Sequence, residues 1–218
     1  MKRFLLIILI AILLCLCGCD TQEQQYQIVA TTLPVYDFTT ALCSGTDLTV
    51  GQLVTEQVSC LHDYSLSVSQ MRMLNSAELI VISGAGLEDF LDQSLFEEKN
   101  TIDASAHVHI HSAGHHHEAG HAHAHDTDPH IWLSPENAKA MCHSIFQGLC
   151  SNYPQYEDVF TANLSELCTQ LDALQAYGEN ALCGLTERRI ITFHDGFSYF
   201  AESFDLLLTW CQETLKSL

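Results

Sequence analysis

Short apolar runs alternate with segments of helical periodicity over the first half of the chain. We predict strands at 27–31 (QIVAT), 48–53 and 79–83 (LIVIS), and helices at 32–42, 67–75 and 88–96. The run at 79–83 precedes Gly84-Ala85-Gly86, a pattern typical of a buried parallel strand that ends in a turn. Because strands alternate with helices, the pattern indicates an α/β fold, with helices covering both faces of a parallel sheet.

The second half of the chain contains a long amphipathic pattern. Ser134-Pro135-Glu136 combines an N-cap, a proline in the first turn and an early acid, which predicts a helix from about 135 to 151. Apolar residues then recur at steps of four, three, four and three, at Phe160, Leu164, Leu167, Leu171 and Leu174. This spacing predicts one long helix over 154–182. A strand at 189–193 and a helix at 196–204 are predicted after it.

The amino terminus has the features of an export signal. Lys2 and Arg3 precede an apolar run of thirteen residues, 4–16, which is too short to span a bilayer comfortably. The run ends in LCGC, which resembles a bacterial lipobox with Cys19 as the acylated residue. We therefore expect residues 1–18 to be a lipoprotein signal peptide and the protein to lie outside the cytoplasmic membrane on a lipid anchor. An uncleaved anchor or plain secretion is the alternative.

The net charge limits the classes of partner. The formal charge is −19 for the whole chain and becomes −21 without residues 1–18, which carry two basic and no acidic side chains. Such a charge argues against nucleic acid as a partner and favours cations.

The cysteines do not indicate a disulfide framework. Seven of the ten remain once Cys15, Cys17 and Cys19 are set aside, and they form no CxxC pair: Cys43, Cys60, Cys142, Cys150, Cys168, Cys183 and Cys211. We interpret most of them as small buried apolar residues, with disulfides as an open alternative.

A histidine-rich segment points to transition-metal chemistry. Nine of the thirteen histidines lie within 107–125, at His107, His109, His111, His115, His116, His117, His121, His123 and His125. Neutral imidazoles separated by Gly, Ala and acidic residues form a flexible, multidentate set of ligands that suits zinc. The alternative is a solvated low-complexity loop without a role.

Three isolated histidines are better placed to form a defined site. His62 follows the second predicted strand, His130 precedes the helix at 135, and His194 follows the strand at 189–193. Because the carboxyl ends of parallel strands converge on one crevice, these residues can meet there. Three neutral imidazoles with water or a carboxylate in the fourth position favour zinc. Taken singly, each could instead be an ordinary core or surface histidine.

Several motifs between Ile28 and Phe204 resemble one family. They are TTLPVYDF, HDYSLSVSQ, SAELIVISGAGLEDFLD, DPHIWLSPENA and FHDGFSYFAESF, together with the histidine-rich loop. The chain resembles the zinc-binding lipoproteins that are the solute-binding components of metal (zinc or manganese) ABC transporters. The resemblance implies two Rossmann-like lobes with parallel sheets, joined by a long rigid helix. It also implies that a zinc ion lies between them on His62 and His130 from the first lobe and His194 from the second.

The resemblance also sets the expected domain boundaries. Beyond the signal peptide we expect a tether (19–26), a first lobe (27–153) with the loop at 107–125, a linking helix (154–182) and a partial second lobe (187–218). Only 32 residues remain from Glu187, so we expect a truncated form. The strand at 189–193 would then have almost no neighbours, which would expose apolar residues at 206–208 and 210.

These features predict a monomeric extracellular receptor that delivers Zn²⁺ to an ABC permease, and not an enzyme. The first alternative is a surface zinc reservoir in which only the histidine-rich loop acts. The second is a zinc hydrolase, which the absence of an HExxH motif disfavours.

Overall fold

The computed structural model describes residues 25–55, 61, 64–92, 94–97, 99–110, 127–193 and 196–210. Its strands and helices, in chain order, are β1 (Ile28–Ala30), α1 (Leu33–Leu42), β2 (Val50–Gln52), α2 (Val68–Ser76), β3 (Leu79–Ile82), α3 (Ser94–Glu97), β4 (Asn100–Asp103), α4 (Pro135–Asn152), α5 (Glu157–Leu182), β5 (Arg189–Thr192), α6 (Ser198–Ser203) and β6 (Leu207–Trp210). Short 3₁₀ turns lie at Ala104–His107, Ile131–Leu133 and Pro154–Tyr156. The predicted signal peptide, Cys19 and most of the tether lie outside the described residues.

Four parallel strands form the sheet of the first lobe. The strand order is β2-β1-β3-β4, so β1 and β3 are central. All three residues of β1 are fully buried, as expected for a parallel strand that helices cover on both faces. The structure therefore confirms the predicted α/β fold with a parallel sheet.

Alternate residues of β1 and β3 enter two separate cores. Ile28 and Ala30 pack on one side with apolar residues of α1, α4 and α5, whereas Val29 packs on the other side with residues of α2. Successive strand side chains point to opposite faces, so each short strand contributes to both cores. The sheet is thus held between two helical layers.

Local sequence signals start two of these helices. Ser67 and Gln70 form a reciprocal capping box at the start of α2, in which each side chain bonds the other residue's backbone N–H. The hydroxyl of Ser134 accepts the N–H of Asn137 and caps α4, as predicted.

The long helix α5 is buried in the first lobe near its start and is more exposed farther along. Phe160 and Leu164, near its start, are buried in the core of the first lobe, while Leu174 and Tyr177 are exposed. Farther along, a Cβ at Gly178 would come within 2.3 Å of the ring of Phe204, so this glycine allows the close approach of α6. One helix therefore contacts both parts of the chain, as predicted for 154–182.

The segment after α5 forms a second, smaller parallel sheet. β5 pairs with β6, with Arg189 opposite Leu207 and Thr192 opposite Trp210. The strand near 189–193 was expected to have almost no neighbours; among the described residues it has one, because residues 207–210 pair with it. Leu206 is correspondingly buried, although Leu207 remains exposed.

Arg188 ties this second part together. Its guanidinium donates to the backbone carbonyls of Leu182, Phe204 and Asp205. These carbonyls lie at the ends of α5 and α6, where helices leave acceptors without intrahelical partners.

Two regions of the first lobe differ from the sequence-based expectation. Residues 88–96 were predicted to be helical, but 85–90 form successive turns and the helix α3 spans only Ser94–Glu97. Positive φ angles at Gly84, Ala85 and Gly86 start these turns, and the side chain of Glu88 folds back onto the backbone. The edge strand β4 was not predicted, because only Ile102 among its four residues is buried.

The cysteines are less buried than predicted. Cys43 and Cys142 are buried, Cys150 and Cys168 are half-buried, and Cys183 is exposed; all five are free thiols. The interpretation of most cysteines as buried residues was therefore wrong for three of these five. Cys60 and Cys211 lie outside the described residues.

Within the part of the chain that the structure describes, no helix is long and apolar enough to cross a bilayer.

We expect Phe160→Ala to destabilise the protein by about 3–5 kcal/mol, because it removes a large side chain that joins α5 to the first core. Phe160 is fully buried, whereas Phe193 is 89% exposed. Phe193→Ala is therefore the matched control, and its effect should stay within about 0.5 kcal/mol. Urea denaturation of the full chain measures both. Equal effects of the two substitutions would contradict the assigned core.

Candidate metal site around His130

Of the three predicted zinc ligands, the structure describes His130. His62 and His194 lie outside the described residues, as do seven histidines of the loop: His111, His115, His116, His117, His121, His123 and His125. Among the residues that are described, no three His, Cys, Asp or Glu side chains form a group that could hold a metal ion. Of the predicted zinc site, the structure therefore describes His130 and the residues around it.

His130 is held by the aspartate two residues before it. Oδ1 of Asp128 accepts the backbone N–H of His130 at 3.0 Å and lies 2.8 Å from Nδ1 of its ring. The pair is well enclosed, with 18% of the His130 side chain and 11% of the Asp128 side chain exposed. When Nδ1 donates its proton to Asp128, Nε2 carries the lone pair that a metal ion requires.

The other oxygen of Asp128 reaches across to the second part of the chain. Oδ2 accepts a hydrogen bond from the hydroxyl of Ser198, at the start of α6. Next to it, the backbone of Gly196 lies against the imidazole, where a Cβ would come within 2.9 Å of both Cε1 and Nδ1 of His130. Gly196 is buried and follows His194 by two positions. The segment after β5 therefore packs directly on His130.

Hydrogen bonding determines the charge state of Asp128. Burial raises the pKa of this carboxyl group, but the hydrogen bonds from His130 and Ser198 outweigh burial and hold the pKa below its usual range. Asp128 is therefore a carboxylate at neutral pH, the form that best orients a protonated Nδ1.

Apolar neighbours fix the backbone on the far side of His130. Ile131 is fully buried in the first core, and the ring of Trp132 lies with its centroid 5.3 Å from that of His130. The 3₁₀ turn Ile131–Leu133 then leads into the capped helix α4. His130 is thus anchored by the packing of its neighbours in sequence.

The floor of the site is a turn at the carboxyl end of β3. The hydroxyl of Thr127 donates to the carbonyl of Ala85 at 3.4 Å, which joins the Asp128 segment to this turn. The N–H of Ala85 donates to Oγ of Ser105, and that hydroxyl donates to Asp103 at 2.7 Å. Polar side chains at the ends of β3 and β4 therefore support the segment that carries His130.

A buried glutamate holds the same turn. Glu88 accepts the hydroxyl of Thr31 at 2.6 Å and the backbone N–H groups of Ser83 and Gly84 at 2.7 and 3.0 Å. Burial raises the pKa of Glu88 to about 7, although these three hydrogen bonds oppose the shift and the charge of Asp103 adds to it. Glu88 thus ties the carboxyl ends of β1 and β3 together beneath the site.

The histidine-rich loop begins on the surface of the first lobe. Nδ1 of His107, at the end of a 3₁₀ turn, lies 3.0 Å from Oγ of Ser144 in α4. The side chain of His107, the first histidine of the loop, therefore contacts α4.

Sequence reasoning did not identify Asp128, Ser198 or Gly196 as site residues. An aspartate two residues before a histidine, as in Asp128-Pro129-His130, is a local signal, because such an aspartate can accept the backbone N–H of the histidine. The bond between Ser198 and Asp128 has no comparable signal, since 70 positions separate the two residues.

Comparison with known proteins gives a consistent picture. The family model described as ZnuA, "Zinc-uptake complex component A periplasmic", matches residues 28–215. The zinc-binding lipoprotein AdcA of Streptococcus pneumoniae (serotype 4, TIGR4) is 29% identical over 192 residues, which are 82% of this chain and 37% of AdcA. A relative from Treponema pallidum (strain Nichols) is 28% identical over 180 residues, 77% of this chain and 56% of that protein. The chain thus spans less than two thirds of these curated relatives.

Solved structures share the fold. The crystal structure of Zn(II)-bound AdcA from Streptococcus pneumoniae aligns with a TM-score of 0.73 at 24% identity, over 86% of this chain and 39% of AdcA. A crystal structure of ZnuA aligns with the same TM-score and identity, over 88% of this chain and 77% of that one. At this level of identity the likeness shows a common fold.

We expect Glu88→Gln to change how stability depends on pH. The folded pKa of Glu88, about 7, lies above the value of 4.5 for an unperturbed glutamate, so its stabilising contribution is complete below pH 4.5 and is lost as the pH rises through 7. The variant lacks this loss, and its stability relative to the wild type should therefore rise by about 2–3 kcal/mol between pH 5 and pH 8. Urea denaturation across this range measures the difference. Glu136→Gln, at an exposed glutamate of α4, is the control. If the difference in unfolding free energy between Glu88→Gln and the wild type did not vary with pH, the burial assigned to Glu88 would be contradicted.

Proposed function

The chain belongs to the zinc-uptake complex component A family, and on this premise we propose that it binds Zn²⁺ as the extracytoplasmic receptor of a zinc-uptake ABC transporter. The observation that carries the proposal is the enclosure of His130. Its Nδ1 faces a carboxylate, and its ring lies against Gly196, which comes from the part of the chain beyond α5. Histidine ligands of zinc usually donate their other ring N–H to a carboxylate or a carbonyl, and the contact between Nδ1 of His130 and Asp128 provides this support.

We assign His62, His130 and His194 as the ligands, with water or a carboxylate in the fourth position. Gly196 supports the inclusion of His194, because a residue two positions after His194 touches the ring of His130. The chain next to His62 is anchored by Tyr64, whose hydroxyl accepts a hydrogen bond from Gln70 and whose ring packs edge-on against Phe90. Three imidazoles suit zinc better than harder cations, which prefer oxygen ligands.

The histidine-rich loop has an accessory role in this proposal. Its nine imidazoles lie on one contiguous stretch of chain, so they can gather zinc ions but cannot impose a single coordination geometry. The contact between His107 and Ser144 ties the start of the loop to the first lobe, which keeps the gathered ions near the protein. A reservoir that acts through the loop alone is the competing function, and it requires no contribution from His130.

The location and partners follow from the same premise. We propose that Cys19 carries the lipid anchor, that the chain acts as a monomer outside the cytoplasmic membrane, and that it delivers zinc to a permease without catalysing a reaction. The strongly acidic composition favours the approach of a cation and disfavours nucleic acid. The relative AdcA is itself described as a zinc-binding lipoprotein.

We expect His130→Ala to weaken zinc binding by at least about a hundredfold, because loss of a direct ligand should exceed the roughly 10–100-fold effect of losing one of its outer partners. Competition with a chromogenic chelator measures the affinity of the full chain. His143→Ala, at an exposed histidine on α4, is the matched control and should leave the tight site unchanged.

Deletion of 107–125 separates the receptor from the reservoir. For a receptor, the deletion removes the weak sites and keeps one tight site, whereas His130→Ala removes the tight site and keeps the weak ones. Trp132 provides a local signal, since it lies beside His130 and is the only tryptophan left in a Trp210→Phe background. Loss of all binding on deletion, with no effect of His130→Ala, would support the reservoir instead.

A further inference from the structure

The hydroxyl of Ser198 connects the two parts of the chain beside His130. Ser198 starts α6, beyond the long helix, and donates to Oδ2 of Asp128 in the first lobe. The same carboxylate uses Oδ1 for the backbone and ring nitrogens of His130. Each oxygen of Asp128 therefore serves a different part of the chain.

This arrangement leaves the imidazole little freedom. Gly196 fills the space on the side of α6, since even a methyl group there would come within 2.9 Å of the ring. The ring of Trp132 is also close, with its centroid 5.3 Å from that of His130. The direction of Nε2 is therefore set by the hydrogen bond from Nδ1 to Asp128. The geometry of this bond depends in turn on the orientation of the Asp128 carboxylate.

We propose that Ser198 is a positioning residue for zinc binding, which orients His130 through Asp128 and thereby makes the ligand geometry depend on the seating of residues 196–198 against the first lobe. The proposal rests on the proposed zinc-binding function. It deepens that function by naming the contact through which the second part of the chain controls a ligand of the first.

The burial of Asp128 explains why Ser198 is needed. Only 11% of the Asp128 side chain is exposed, so water has little access to Oδ2 if the hydroxyl is removed. A buried carboxylate oxygen without a donor is unfavourable, and the carboxylate would turn towards other donors. Turning Asp128 would weaken its bonds to His130, and the proton of the imidazole would then be shared between Nδ1 and Nε2. Since a metal ion needs the lone pair on Nε2, this change reduces the fraction of protein that is ready to bind.

The test compares Ser198→Ala with two variants in the full chain. Ser198→Thr keeps the hydroxyl and should restore the wild-type behaviour. Ser203→Ala is the matched control, because Ser203 lies on the same helix and its hydroxyl donates to the carbonyl of Tyr199 one turn earlier. The measurements are the zinc affinity by chelator competition, the rate of zinc release by stopped flow, and the tautomer of His130 in zinc-free protein by ¹H–¹⁵N correlation NMR.

We expect Ser198→Ala to weaken zinc binding about tenfold, mostly through faster release, as for other outer-shell partners of metal ligands. In the zinc-free protein the ring of His130 should change from one dominant tautomer to a mixture. In an Asp128→Ala background, Ser198→Ala should have no further effect on affinity, since Ser198 acts through Asp128.

Two outcomes overturn the positioning role. In the first, Ser198→Ala and Ser203→Ala have the same zinc affinity and the same His130 tautomer. In the second, Ser198→Ala weakens zinc binding as much in the Asp128→Ala background as in the wild type. Failure of the proposed function is a different result, in which the wild-type chain has no tight zinc site. In that case the tautomer of His130 in zinc-free protein still decides whether Ser198 positions the ring.

Discussion

A buried carboxylate requires hydrogen-bond donors, and Asp128 obtains them from both parts of the chain. One oxygen binds His130 and the other binds Ser198, while only a small fraction of the side chain reaches water. Because the donors hold Asp128 in its charged form, the carboxylate can orient an imidazole and also attract α6. The seating of residues 196–198 and the orientation of the His130 ring thus depend on the same group.

Polar side chains at the carboxyl ends of the strands hold the segment that carries Asp128 in place. Glu88 joins the backbone after β3 to Thr31 after β1, and Asp103 joins β4 to Ser105. These carboxylates bond the N–H and hydroxyl groups that the strands leave at their carboxyl ends, where no further ladder partner exists. The hydroxyl of Thr127 donates to the carbonyl of Ala85 in the turn after β3, and this contact positions Asp128 relative to the sheet.

Periodicity predicted most of the fold, and its failures have physical causes. The buried strands β1 and β3 and the helices α4 and α5 follow from apolar spacing and, for α4, from the cap at Ser134, because these signals are local. Residues 88–96 have helical spacing but form turns, since the side chain of Glu88 bonds the backbone of Ser83 and Gly84 instead of facing solvent. β4 and β6 form by pairing with β3 and β5, which are not adjacent in sequence, so the local pattern of apolar residues does not predict them.

The sequence alone determined the α/β class and the long helix, and it predicted His130 as a zinc ligand, because each of these depends on residue type and short-range spacing. Tertiary structure decided which groups surround His130. Asp128 is close in sequence, but its burial and its second donor, Ser198, come from the packing of α6 against the first lobe. Ser198 and Asp128 are 70 positions apart in sequence, so their contact beside His130 could be found only in three dimensions.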